Sequence, residues 1–283
     1  MKKYSLLIFT FLLLIANVFL VILDWNNSHR GFTFAVLDVG QGDGLFIETP
    51  SGAQIMFDAG PPRSVLGPLA KVMSPFDKSI DAFVITNPDA DHIGGLTDIL
   101  KNYKVGAVFE SGTLTDSKLY QNVREEMKRQ NIPDILVRKG MRLDVGSGVF
   151  IDILFPDRDV SEWATNDGSV VAKLTYGKNS IILTGDATAK TEKIILSENT
   201  SSQLKSTILK VGHHGSRTSS TSPFVKAVSS QYALISVGKD NTYGHPHQET
   251  LDTLAQIGAK IFRTDLLGTI VMKCDTIKTC MIN

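Results

Sequence analysis

The run DAFVIT, residues 81–86, is short, nearly unbroken in its apolarity, and leads straight into TNPDADHIGG, residues 86–95. A run of this kind marks a strand buried on both faces, so the chain must build a sheet that is covered on two sides. The residues beyond the strand constrain the chain further. Asn87, Asp89, Asp91 and His92 place amide, carboxylate and imidazole groups close together, with Gly94 and Gly95 behind them. Side chains at every second position past a strand end can converge on one point. Carboxylate oxygens with an imidazole form a ligand set for a divalent cation, and the glycines let backbone pass close beneath. An Asp-rich turn capping a helix would use the same residues, and this segment alone does not choose between the two.

The same rhythm runs through residues 31–283. FTFAVLDVG (32–40), GLFIET (44–49) and AQIMFDAG (53–60) read as consecutive strands closed by glycine or proline signals. Further strands are expected at 149–155, 170–176, 181–184, 207–211 and 232–237. Helices are expected at 96–102, 117–131, 188–197 and 248–257, the last stopped by Gly258. In the second of these, Leu119, Val123 and Met127 recur on one face. No linker or compositional break interrupts this part, so residues 31–283 are read as one α/β domain of two packed sheets with helices outside.

Residues 1–24 differ in kind. After Lys2 and Lys3, Tyr4 to Leu23 is apolar apart from Ser5, Thr10 and Asn17, close to the roughly 20 residues a helix needs to cross a bilayer. The expectation is an uncleaved transmembrane anchor, residues 25–30 as a short linker, and an exported domain beyond. Secretion after signal cleavage is the alternative. The remainder is slightly acidic, because the two lysines are the only charges before Asp24 in a chain that balances 29 basic against 29 acidic residues. No global positive field therefore draws this chain to nucleic acid. Cys274 and Cys280 either bridge a terminal hairpin in an oxidising compartment or stay as two thiols.

Further chemistry sits at the ends of the expected strands. LTGDA (183–187) presents Asp186, KVGHHGS (210–216) presents His213 and His214, and YGHPH (243–247) presents His245 and His247. Five of the six histidines thus fall at or just past a strand end. Together with Asp186 they argue for one metal site.

LDVGQGDG, FDAG, TNPDADHIGG, NDGSVV, LTGDA, KVGHHGS and GHP, in that order, resemble the metallo-β-lactamase superfamily, and most of all the hydrolase domain of ComEC-type DNA-uptake proteins. The resemblance implies an αββα sandwich with a metal site at one edge of the sheets. It implies ligands at Asp91, His92, Asp186 and His214, with His213 as the alternative to His214. A second metal position would draw on Asn87 and Asp89. Asn87 stands where the superfamily has histidine, and the segment at 166–169 supplies no histidine either, which weakens that position. Manganese or zinc fits such ligands, with magnesium possible, as one ion or two. Asp38, Asp43 and Asp58 are read as supports that orient ligands and loops.

The implied chemistry is hydrolysis, since a bound divalent ion lowers the pKa of water. Asp89 would orient or deprotonate that water, while Lys210 and His245 would steady charge on a phosphate. The ComEC likeness implies a phosphodiesterase or nuclease acting on DNA; if it serves DNA uptake, the expectation is that it works beside a separate membrane pore. Two other readings stand: a hydrolase of lactones, thioesters or other small esters on the same fold, and a non-catalytic binding module in which Asn87 serves a backbone hydrogen bond.

Overall fold

Alternation along the strands sorts the apolar residues into three cores. The computed structural model describes residue 4, residues 8–18 and residues 31–282. Among them are fifteen strands: β1 (Phe32–Val36), β2 (Leu45–Glu48), β3 (Gln54–Phe57), β4 (Ser79–Ile85), β5 (Lys104–Glu110), β6 (Asp134–Leu136), β7 (Arg142–Asp144), β8 (Val149–Phe155), β9 (Val171–Tyr176), β10 (Asn179–Leu183), β11 (Ile208–Lys210), β12 (Tyr232–Ile235), β13 (Lys260–Arg263), β14 (Ile270–Cys274) and β15 (Met281–Ile282). One sheet runs β15-β14-β1-β2-β3-β4-β5-β6 and the other β13-β12-β11-β10-β9-β8-β7.

Phe34 and Val36 of β1 face Ile151, Leu174, Ile181 and Leu234 of the opposite sheet, forming the central core. Their neighbours Ala35 and Leu37 point the other way, packing with Leu69, Ile99 and Val123 from the helices Leu66–Val72, Leu96–Asn102 and Lys118–Arg129. In the second sheet Ile182, Leu209 and Ala233 take the outer face, where they meet Ile195, Phe224 and Leu254 from the helices Ala189–Glu198, Ser222–Val228 and Gln248–Gln256. Period-two alternation in strands buried on both sides therefore builds four layers, helix–sheet–sheet–helix.

Each sheet is mixed. β3, β4, β5 and β6 pair in parallel, as do β10, β11, β12 and β13. Parallel strands carry their loops out at the same carboxyl edge, where ligands bind in open α/β sheets. The loops after β3, β4, β10, β11 and β12 meet there.

Cys274 and Cys280 are joined in a disulfide. It closes the turn from β14 to β15 and settles the choice left open by the sequence. Residues 8–18 are helical. Residues 5–7 and 19–23 of the expected membrane span, and the expected linker at 25–30, lie outside the described residues. Among the described residues no helix is long and apolar enough to cross a membrane.

Candidate metal centre

The loop after β4 carries Asp89, Asp91 and His92, the last two in the single-turn helix Ala90–Ile93. It is locked onto the loop between β1 and β2 by a bond from Asp43 N to Asp91 O at 3.1 Å. Gly42 makes this approach possible. A Cβ there would stand 2.2 Å from the Asp91 carbonyl oxygen, and its φ of +141° is one that L side chains rarely adopt.

Two imidazoles are oriented from behind. His92 Nδ1 lies 2.8 Å from Asp58 Oδ2, and His214 Nδ1 lies 3.0 Å from the Ser236 carbonyl. In both cases the Nδ1–H donates backward, which leaves Nε2 facing the front. His92 Nε2 is 3.2 Å from Asp186 Oδ2, while His214 Nε2 is 3.6 Å from Asp186 Oδ1 and 3.4 Å from Asp91 Oδ2. One ligand atom from each of Asp91, His92, Asp186 and His214 falls within 4.8 Å of the others. His92, Asp186 and His214 are buried, and Asp91 stands at the mouth.

These residues fit a metal ion because of what they lack. Among the described residues, eight buried side-chain atoms make no hydrogen bond, and six of them belong to this cluster or its cleft: Asp43 Oδ1, His92 Nε2, Asp186 Oδ1, His214 Nε2, Asn166 Oδ1 and His245 Nδ1. Orphaned buried polar atoms are rare and costly, and three of these residues, His92, Asp186 and His214, converge with Asp91, as the ligands of a cation do.

The electrostatics agree. Burial alone would push the His92 imidazolium down, but the Asp186 and Asp58 carboxylates raise its pKa well above the ordinary histidine value. Burial likewise opposes the charge on His214, yet Asp186 and Asp43 raise it to about 10. Burial also resists ionisation of Asp186, and His92 and His214 overcome it, holding the carboxyl far below the usual carboxylate range. Without a metal the carboxylates draw protons onto the histidines. The cluster is built to hold positive charge.

Asp43 and Asp58, grouped with His92 as a second set of potential ligands, already have partners. Asp58 takes Thr86 N and Oγ1 in addition to His92. Asp43 Oδ2 accepts from Lys210 Nζ at 2.7 Å. Asp58 thus lies behind His92, and Asp43 lies between Lys210 and His214. Asp38, expected as a third support, has no such place. Its side chain is exposed, and its backbone N donates to Thr269 on the strand β14 side.

Lys210 is also placed differently from the expectation that it stands beside a substrate. It is fully buried, donating to Asp43 and to the Val211 carbonyl. Its charge props the cluster from beneath, because β11 aims it inward toward Asp43. Asn87 is buried and occupied too. Its Oδ1 accepts from Asp89 N at 2.9 Å and its Nδ2 donates to Ser169 Oγ at 3.3 Å, which ties both ends of the amide into the loop. Asp89 and His213 line the front. Asp89 Oδ2 accepts from Thr165 Oγ1 at 2.8 Å. His213 Nε2 is 3.6 Å from Asp186 Oδ2, farther than His92, and its Nδ1 is occupied by Thr218 Oγ1. His213 and His214 both sit at positive φ, 49° and 53°, a strained turn of the kind that concentrates at functional sites.

A cleft of about 190 Å³ opens in front, lined by Gln41, Asp89, Asp91, Asn166, Asp186, His213, His214, Tyr243 and His245. Gln41, Asn166 and Tyr243 are residues that sequence reasoning missed. Asn166 lies in the NDGS stretch, where the missing histidine is the more conspicuous signal and the amide the one that reaches the cleft. Burial, and then the neighbouring histidines His213, His214 and His247, lower the His245 pKa to about 4, so at neutral pH it offers a hydrogen bond and no charge.

Residues 37–239 match the metallo-beta-lactamase superfamily. The chain belongs to that superfamily. Within it, the chain is 33% identical over 256 residues to ComE operon protein 3 of Bacillus subtilis (strain 168), covering 83% of this chain and 32% of that protein. It is 28% identical over 239 residues to competence protein ComA of Neisseria gonorrhoeae, covering 83% and 31%. Both are ComEC-type competence proteins, and the chain spans about a third of their length. Among solved structures it is similar to CmlA, a diiron β-hydroxylase from Streptomyces venezuelae, with a TM-score of 0.56 and 14% identity over 87% of this chain and 54% of that one. That likeness shows a shared fold alone.

Proposed function

We propose that this metallo-β-lactamase domain is a metal-dependent phosphodiesterase that cuts DNA. The observation that carries the proposal is the convergence of two oriented, unpartnered imidazole nitrogens on buried Asp186, with Asp91 at the mouth. His92, His214, Asp186 and Asp91 would hold the ion, which when bound supplies Lewis acidity at the cleft floor.

The surrounding residues supply the remainder. Burial raises the pKa of Asp89 above the ordinary aspartate value, although Thr165 donates to it. A carboxylate with raised pKa at the cleft wall is suited to accept a proton from water. Neutral His245 and the Asn166 amide offer polar contacts to the group being cleaved, and Lys210 keeps Asp43, and through it His214, in place.

The cleft of about 190 Å³ is smaller than the roughly 300–1,000 Å³ pockets that enclose drug-sized ligands, which is compatible with a substrate that extends beyond it. DNA as that substrate is supported by the competence proteins to which the chain is similar. The apolar N-terminal segment supports attachment to a membrane with the domain exported.

The test uses purified protein stripped of metal and then supplied with manganese, zinc or magnesium, with labelled single- and double-stranded DNA as substrates. Metal-dependent cutting that disappears in Asp91→Ala is the expected result. Metal binding with no cutting would move a small-ester hydrolase ahead, and neither binding nor cutting would leave a binding module.

A further inference from the structure

Tyr243 stands at the rim of the cleft with 66% of its surface exposed. One face of its ring is covered by His245, with centroids 5.7 Å apart and planes 22° from parallel. His245 in turn lies 6.4 Å, ring to ring, from the candidate ligand His214. Two ring contacts thus link the tyrosine to the metal cluster.

The loop that carries it is pinned. The Asn241 amide donates to the Gly238 and His245 carbonyls at 3.0 and 2.7 Å, and its oxygen accepts from His245 N at 3.0 Å. Gln41, also lining the cleft, accepts from Gly238 N at 3.1 Å. Most of the ring's surface is thus held out to solvent on a braced loop beside a polar cleft.

We propose that Tyr243 is a stacking platform that seats one unpaired nucleobase of the substrate while the adjoining phosphodiester enters the cleft. Tyr243 lines the rim of the cleft, so a base next to the phosphodiester that enters it lies within reach of the exposed ring face. Every base has a π-face, so the contact is indifferent to sequence. A base within a duplex has both faces covered by its neighbours, so the platform selects single strands or frayed ends. This deepens the phosphodiesterase reading and rests on it for the place of the scissile bond.

Two measurements on the whole protein test it. In the first, Asp89→Asn slows turnover, and an oligothymidylate carrying one 2-aminopurine is titrated with manganese present. Stacking quenches the fluorescence. Adding Tyr243→Ala should abolish the quench and weaken binding by about ten- to a hundredfold, in line with base–aromatic contacts elsewhere, whereas Tyr243→Trp should keep both. In the second, Tyr243→Ala alone should raise KM for a single-stranded oligonucleotide and leave kcat near wild type. An oligonucleotide of abasic residues should be cut equally by both proteins. Equal affinity of Tyr243→Ala and wild type for the base-bearing strand, with cleavage intact, would overturn the platform. Quenching without cleavage of any DNA would uphold it and sink the phosphodiesterase reading instead.

Discussion

The two sides of the cleft share the loop after β4 and have opposite states of readiness. On the Asp91, His92, Asp186 and His214 side, the rear nitrogens are satisfied and the front atoms are orphaned. On the Asn87 and Asp89 side, both residues have partners: Asn87 holds Asp89 N and Ser169, and Asp89 holds Thr165. A site prepared for a cation keeps its acceptors unpaired at a desolvation cost and collects protons meanwhile. The side with Asn87 has its polar atoms engaged in shaping the loop. The contrast teaches that the unpartnered donor atoms gather on one side of the cleft.

The heaviest blow to that contrast is Asp186→Ala. It removes the carboxylate common to both imidazoles, so metal affinity should fall by more than the roughly hundredfold typical of losing an outer partner, and hydrolysis should vanish with it. Calorimetric titration of manganese or zinc reads the first, and single-turnover cleavage the second. Retention of tight binding would show that the ligands have been assigned to the wrong residues.

The next effect is of pH. The metal must displace protons from His92 and His214, so affinity should weaken on acidification by about tenfold per unit for each imidazole that has to give one up. Protons released on binding in weakly buffered solution count them directly. The metal-free protein carries the opposite sign. His214 is raised to about 10 from an ordinary 6.5, so its contribution to stability is complete below 6.5 and drains away as pH climbs through about 10. Melting temperatures of the metal-free protein should fall over that window, and a flat profile would deny the buried ion pairs.

Asp58→Asn should be milder. It weakens the orienting acceptor behind His92 and should cost about 10- to 100-fold in metal affinity, with the ligand count unchanged by spectroscopy of the cobalt-substituted protein. The smallest change expected is at Asn87. Asn87→Ala strips two loop bonds, leaving Asp89 N and Ser169 Oγ without the amide, at about 1–3 kcal/mol of stability, while metal affinity stays within twofold. A large loss of affinity from Asn87→Ala would erase the difference between the two sides.

Much of this was legible in the chain. The strands at 32–36, 54–57, 79–85, 149–155 and 171–176 follow their apolar runs, because a strand buried on both faces must be apolar throughout. Other strands escaped for identifiable reasons. β5 contains Gly106, which reads as a breaker, yet a Cβ there would strike the Asp81 carbonyl at 2.5 Å, so close packing of neighbouring strands explains it. β6 and β7 have three residues each with only the middle one half-buried, too few to show a period.

The site divides in the same way. Residue order and chemistry marked one metal site among the 87–92 loop, Asp186 and the histidines at strand ends, and the likeness to the superfamily's motifs singled out Asp91, His92, Asp186 and His214 as its ligands. The tertiary structure decided the remainder. It turned the His214 Nδ1 back onto the Ser236 carbonyl, sank Lys210 beneath the cluster, moved Asp38 to the surface, tied Asn87 into its loop, and brought Asn166 and Tyr243 to the cleft. The reason is physical: donor chemistry is a property of one residue, whereas exposure, orientation and partnership belong to the contacts that residues 167 or 194 positions apart make when two sheets close on each other.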